Sequence, residues 1–154
     1  MALEMSGEYV LPIARKAVWD ALNDQEMLKR CIPGCETIEK ISDTEFTAKV
    51  VARVGPVKAS FSGKVTLSDL NPPAGYTITG EGTGGVAGFA KGSATVALAE
   101  EGGETVLRYG AHGQVGGKLA QIGSRLIDAT ARKMADEFFS RFVGVMSPGG
   151  AAGS

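Results

Sequence analysis

Hydrophobic and polar residues alternate with a period of two through the middle of this chain, over residues 35–115. The alternation is clear in 46–54 and returns after each of three turn signals, Gly55-Pro56, 71–75 and 100–104. Strict alternation is typical of antiparallel strands that have one covered face and one solvent face. The sequence therefore predicts an antiparallel sheet that occupies the centre of the chain.

Different patterns precede and follow this region. Residues 5–12 predict a first strand that Pro12 ends, and 15–23 and 24–30 predict two short helices. From residue 118 to about 146 the apolar period becomes 3.6, which predicts one long amphipathic helix. Its apolar stripe contains Leu119, Ile122, Leu126, Ala129, Met134, Phe138 and Phe142.

The order of these elements predicts an α+β fold, in which a curved antiparallel sheet of about seven strands wraps around the long C-terminal helix. Residues 1–146 are expected to form one domain, since the chain of 154 residues has the length of a single domain. Residues 147–154 are rich in glycine and alanine and are expected to form a flexible tail.

Composition argues against several classes of function. The net charge of −1 provides no overall attraction to nucleic acid or to anionic lipid, and no nucleic-acid partner is expected. Cys31 and Cys35 are spaced C-x3-C, which differs from the C-x2-C of zinc knuckles. Residues 1–7 lack the features of a signal peptide, and no apolar run approaches the ~20 residues that span a bilayer. We therefore expect a cytoplasmic protein with two free thiols.

The predicted covered face of the sheet carries unusually small side chains, which are Ala48, Ala52, Ala59, Gly63, Gly80, Gly92, Ala94, Ala111 and Gly113. Two interpretations are open. The glycines and alanines let the sheet bend and the helix approach closely, or they leave an apolar cavity beneath the helix. The recurrence of small residues on four strands favours the cavity.

Few residues of this face have side chains that could carry chemistry. The single histidine, His112, falls on the solvent face, and tyrosines supply the main polar groups of the covered face. We therefore predict no catalytic residue, no metal site and no cofactor, but a site that binds a lipophilic small molecule. The candidate ligand-binding residues are Tyr9, Trp19, Phe46, Val50, Phe61, Tyr76, Ile78, Ala94, Tyr109, Leu119, Ile122 and Leu126.

Four segments carry a resemblance to a known family. They are AVWDALND at 17–24, CIPGCE at 31–36, VGPVKASFSG at 54–63 and VGGKLAQIG at 115–123. Together they resemble the family of the G subunit of carbon monoxide dehydrogenase, which belongs to the START-like (SRPBCC), helix-grip superfamily. The resemblance covers about residues 3–146.

The resemblance implies a helix-grip fold with a hydrophobic cavity, and an accessory protein rather than an enzyme. The implied partner is a molybdenum hydroxylase of the carbon monoxide dehydrogenase type, docked at the cytoplasmic membrane through peripheral contact. An isoprenoid quinone is the implied ligand. Some members carry a C-terminal membrane-binding extension, whereas this sequence ends in its Gly/Ala-rich segment. The alternatives are an adaptor that acts only through its surface and, with less support, an enzyme that acts on apolar substrates.

Overall fold

The structure is a computed structural model that describes residues 2–146. The predicted tail at 147–154 lies outside the described residues. The elements are β1 (Ala2–Leu11), α1 (Arg15–Leu22), α2 (Gln25–Cys31), β2 (Cys35–Ser42), β3 (Glu45–Val54), β4 (Val57–Asn71), β5 (Gly75–Thr83), a 3₁₀ turn (Gly85–Ala87), β6 (Phe89–Glu101), β7 (Glu104–Gly116), α3 (Lys118–Ile122) and α4 (Ser124–Met146).

The strands form one sheet in the order β1-β7-β6-β5-β4-β3-β2, and every neighbouring pair is antiparallel. Consecutive strands are therefore neighbours, except that β1 pairs with β7. Helix α4 contacts β1, β3 and α2, so it lies across the covered face between the two sides of the sheet. This arrangement confirms the predicted α+β fold, with a seven-stranded sheet around a C-terminal helix.

The predicted continuous helix from residue 118 is interrupted at Gly123. This glycine has a φ of +100°, a value that helical residues do not adopt, and it separates α3 from α4. The buried stripe of α4 consequently runs through Ile127 and Phe142, which are 6% and 0% exposed. The predicted stripe residue Leu126 is 48% exposed, because it lies one position away from that stripe.

Hydrogen bonds that involve two side chains stabilise the start of α2 and the segment that precedes α1. Asp24 caps α2, and its carboxylate accepts hydrogen bonds from the backbone N–H groups of Glu26 and Met27 at 2.9 and 3.4 Å. The hydroxyl of Thr105, which is fully buried on β7, donates to the carbonyl of Ile13 at 2.7 Å. This bond ties the segment between β1 and α1 to the start of β7.

Some glycines of the covered face sit where neighbouring strands approach too closely for a side chain. A Cβ atom at Gly92 would lie 2.5 Å from the backbone oxygen of His112, and one at Gly63 would lie 2.8 Å from that of Glu81. At these positions the first interpretation of the small residues holds, because glycine permits the bend of the sheet.

Two groups of buried apolar residues lie between the sheet and the helices. The larger group, here called the main core, contains Phe142 of α4 together with Leu11, Val18, Leu107 and other residues of the sheet and first helices. A smaller group, here called the second cluster, is built around Val115, Leu119, Ile127, Leu3, Val54, Val57, Phe61 and Ile122. The second cluster thus packs α3 and the start of α4 against the sheet.

Candidate ligand cavity

An apolar cavity of about 370 Å³ lies within the main core, between the sheet and the helices. Its volume is at the lower end of the range of roughly 300–1,000 Å³ for small-molecule pockets. No charged residue contributes to its wall among the residues that the structure describes. The wall consists of Met5, Leu22, Leu28, Ile32, Ile38, Phe46, Ala48, Val65, Leu67, Tyr76, Ile78, Ala94, Val96, Leu107, Tyr109, Ala111, Ala135, Phe138 and Phe139.

The register of the sheet explains why space remains. Leu67, Ile78, Ala94, Ala111 and Met5 are paired in that order across β4, β5, β6, β7 and β1, so they form one row on the covered face. Two adjacent alanines occupy the centre of this row. A cavity therefore opens where larger side chains would otherwise fill the core, and the second interpretation of the small residues holds here.

The helices complete the wall. Helix α4 contributes Ala135, Phe138 and Phe139 to the wall, so a further alanine adds to those of the sheet. Phe138 packs edge-on against Phe139, with 5.0 Å between ring centroids. Leu28 of α2 and Ile32, which directly follows α2, close a further side. These contacts make the cavity a property of the whole fold, since no single element encloses it.

Tyr76 is the most deeply buried polar side chain of the wall, at 5% exposure. Its ring packs edge-on against Trp19 at 5.2 Å between centroids. Among residues 2–146 its hydroxyl has no hydrogen-bond partner. Burial raises the pKa of Tyr76 above the ordinary value, so the hydroxyl stays protonated near neutral pH and remains a donor.

Tyr9 has a different environment. Its hydroxyl donates to a carboxylate oxygen of Asp136 at 2.5 Å, which joins β1 to α4. Its ring stacks on Phe139, with centroids 4.4 Å apart. Burial raises the pKa of Tyr9, and the hydrogen bond to Asp136 raises it further. The donor capacity of Tyr9 is therefore used within the protein.

Five of the residues predicted to bind a ligand lie in the cavity wall, which are Phe46, Tyr76, Ile78, Ala94 and Tyr109. Tyr9 and Trp19 pack behind that wall, against Phe139 and Tyr76.

The structure does not bring the other predicted residues to the cavity. Phe61, Leu119 and Ile122 belong to the second cluster, and Leu126 is half exposed. Val50 is half-buried on β3 and lies outside the wall. Residues that share one covered face in the sequence pattern therefore belong to two separate groups of packed side chains.

Several wall residues were not among the predicted ones. Leu28 and Ile32 are one helical turn apart, and Ala135 lies one turn before Phe138 and Phe139. This spacing was a usable signal for a shared helix face. Met5 alternates in phase with Gly7 and Tyr9, but only the pairing of β1 with β7 places it beside Ala111.

The described wall of the cavity offers apolar contact and the hydroxyl groups of two tyrosines. Tyr76 and Tyr109 are the only titratable residues in the described wall. No group of three or more His, Cys, Asp or Glu side chains suited to a metal ion occurs within residues 2–146. Cys31 and Cys35 are free thiols, and burial raises the pKa of both.

Comparison with known proteins decides the family. The model of the family described as the G subunit of carbon monoxide dehydrogenase (CoxG) matches residues 7–146. The chain belongs to the CoxG family. No functionally curated protein matches this CoxG sequence.

Solved structures show the same fold for this CoxG chain. A conserved protein from Geobacillus kaustophilus is 28% identical with a TM-score of 0.89, and the match covers 96% of this chain and 97% of that one. A START superfamily protein from Mycobacterium smegmatis is 10% identical, with a TM-score of 0.70 and coverage of 93% and 96%. The Zhui aromatase/cyclase from Streptomyces sp. R1128 is 12% identical, with a TM-score of 0.69 and full coverage of both chains. These matches confirm the START-like helix-grip fold.

No helix within residues 2–146 is both long enough and apolar enough to cross a bilayer.

Proposed function

We propose that this CoxG protein binds a lipophilic small molecule in its cavity and serves a molybdenum hydroxylase of the carbon monoxide dehydrogenase type as an accessory protein. The proposed place of action is the cytoplasmic side of the cell membrane, with peripheral contact. The observation that carries the binding role is the uncharged cavity of about 370 Å³ between the sheet and α4. Membership of the CoxG family supports the partner.

An isoprenoid quinone suits this cavity as the ligand. Its isoprenoid chain and ring match an apolar wall, and its carbonyl oxygens accept hydrogen bonds. The hydroxyl of Tyr76, which has no hydrogen-bond partner among residues 2–146, is the donor that such an oxygen requires. A neutral hydrogen bond of this kind contributes a net of about 1 kcal/mol, so the apolar contacts supply most of the affinity.

A catalytic role has less support. General acid–base catalysis needs a titratable group whose pKa lies near the working pH. The titratable groups in the described wall are tyrosines, and burial shifts the pKa of Tyr76 further from neutrality. The solved aromatase/cyclase shares the fold, but a shared fold does not determine function.

The alternative function is an adaptor that acts only through its surface. Such a protein has no need for an internal space, and an empty apolar cavity destabilises a fold in proportion to its volume. The observed cavity therefore favours the binding role over a purely structural one.

The single tryptophan provides the assay for this proposal. Trp19 contacts Tyr76 of the cavity wall, so a bound quinone will quench its fluorescence. We expect a short-chain menaquinone to bind the purified full chain at micromolar or lower concentration, and lipid extraction of the protein to recover quinone. The proposal is wrong if neither quenching nor extraction detects quinone at these concentrations.

Variants of two tyrosines distinguish specific binding in the cavity from nonspecific adsorption of the quinone. Tyr76→Phe removes the unpartnered hydroxyl, and we expect it to weaken menaquinone binding about 3–10-fold, which corresponds to about one hydrogen bond. Tyr9→Phe removes a hydroxyl that is engaged with Asp136 and serves as the control. We also expect the protein to accelerate the transfer of electrons from the hydroxylase to menaquinone in a reconstituted assay.

A further inference from the structure

Three connecting segments meet at one end of the molecule, and we call them together the loop end. They are residues 54–58, 84–89 and 116–126. A Cβ atom at Gly55 would contact the side chains of Ile122 and Leu126 at 3.4 and 3.5 Å, so the first and third segments touch. The 3₁₀ turn in the second segment contacts α3 and β4. The loop end is therefore one continuous surface although its parts are distant in sequence.

Large apolar side chains protrude from the loop end. Val86, at the centre of the 3₁₀ turn, is 84% exposed, which is the highest exposure of any large hydrophobic residue in the described chain. Leu126 and Phe89 are 48% and 44% exposed. Apolar residues that are exposed together mark interaction surfaces, whereas isolated ones need no explanation. The loop end thus presents three apolar side chains that the protein itself leaves uncovered.

The charge of the loop end is uniformly positive. Lys58, Lys118 and Arg125 are exposed, and the three segments contain no acidic residue, so their charge is +3 in a chain whose net charge is −1. Among the described residues none of these three cations forms an ion pair. The first acidic residue beyond the third segment is Asp128.

The opposite end of the sheet shows a contrasting pattern. Ile41 is 57% exposed beside the turn between β2 and β3, and Asp43 and Glu45 follow it closely in the chain. Apolar exposure therefore occurs at both ends of β3. At the Ile41 end the neighbouring Lys40 is outnumbered by Glu39, Asp43 and Glu45, whereas the segments of the loop end carry cations alone. Protruding apolar residues with surrounding lysine and arginine are what an anionic bilayer surface binds, through insertion of the former and attraction of the latter.

We propose that the loop end docks on the surface of an anionic lipid bilayer, with Val86, Phe89 and Leu126 inserted among the headgroups. The inference deepens the proposed function, on which it rests, because it names the surface through which the protein meets the membrane. The net charge of −1 provides no overall attraction to anionic lipid, but the loop end attracts it locally because its segments carry a charge of +3.

Vesicle flotation with the full chain tests the proposal. We expect binding to vesicles of phosphatidylglycerol and phosphatidylcholine, with little binding to phosphatidylcholine alone. Val86→Ser should weaken partitioning about tenfold, because it removes a largely exposed apolar side chain from the bilayer. Lys118→Gln with Arg125→Gln should weaken it about 25-fold, at about fivefold for each cation.

Ile41→Ser is the matched control, since it removes a similarly protruding apolar residue from the opposite end of the sheet, where acidic residues predominate. We expect it to bind vesicles like the unmodified chain, and the thermal unfolding midpoints of all variants to show that each one folds. The proposal is overturned if the full chain does not bind anionic vesicles. That result is expected if the loop end binds an acidic surface of a partner protein instead. It is equally overturned if Ile41→Ser weakens binding as much as Val86→Ser. Quinone quenching of Trp19 in detergent-free buffer is measured in parallel, so failure of the cavity and failure of the docking surface give different results.

Discussion

The substitution Ala94→Phe is the most direct perturbation of the cavity. Ala94 lies in the centre of the sheet wall, paired with Ile78 on β5 and with Ala111 on β7. A phenyl ring at this position extends into the space beneath α4. The same ring therefore excludes a ligand and reduces the empty volume of the ligand-free protein.

The structure determines the expected magnitude. At about 24 cal/mol per Å³, a cavity of about 370 Å³ that was dry and fully enclosed would destabilise the ligand-free fold by at most about 9 kcal/mol. This cost falls within the range of about 5–15 kcal/mol for the whole stability of a domain. A phenyl ring of roughly 100 Å³ fills about a quarter of the space and can recover up to about 2 kcal/mol. For a domain of this size that gain corresponds to a rise of about 4–8 °C in Tm.

Two measurements on purified protein check the reasoning. We expect Ala94→Phe to raise the Tm of lipid-stripped protein in calorimetry and to abolish menaquinone quenching of Trp19. Ala97→Phe, on the same strand but exposed on the opposite face, should leave quenching unchanged. The reasoning is refuted if Ala94→Phe binds menaquinone normally, or if it lowers the Tm by more than Ala97→Phe does.

Three further predictions concern the sheet, the junction of β1 with α4 and the thiols. Gly92→Ala should destabilise the protein by about 2 kcal/mol or more, because its Cβ would lie 2.5 Å from a backbone oxygen of β7. Gly110 has open space around it, so Gly110→Ala should leave the free energy of unfolding nearly unchanged. Denaturant titrations measure both changes. Tyr9→Phe should lower the free energy of unfolding by about 1 kcal/mol through loss of its hydrogen bond to α4, which thermal melts will show. Native protein should be alkylated at Cys35 before the fully buried Cys31. Because burial raises the pKa of both thiols, the alkylation rate should continue to rise at pH values where that of a free thiol has already levelled off. Equal labelling of the two cysteines in peptide mass spectrometry would contradict this prediction.

The sequence by itself determined the elements and the faces of the strands. Alternation with period two is a local property of an extended chain, so residues such as Phe46, Ile78 and Ala94 could be assigned to the covered face without coordinates. The cap at Asp24 and the turn at Gly55-Pro56 follow equally from local chemistry. These signals, together with the family motifs, were sufficient for the helix-grip fold.

Only the tertiary structure decided how that covered face is divided. Gly92 and Ala94 are two positions apart on β6, yet one permits a close approach of strands and the other borders the cavity. The hydroxyls of Tyr9 and Tyr76 are equivalent in the sequence pattern. In the structure Asp136 of α4 accepts a hydrogen bond from Tyr9, whereas the hydroxyl of Tyr76 has no partner among residues 2–146. The physical reason is that these distinctions depend on distances between strands and helices that are far apart in sequence, and periodicity carries no information about such distances.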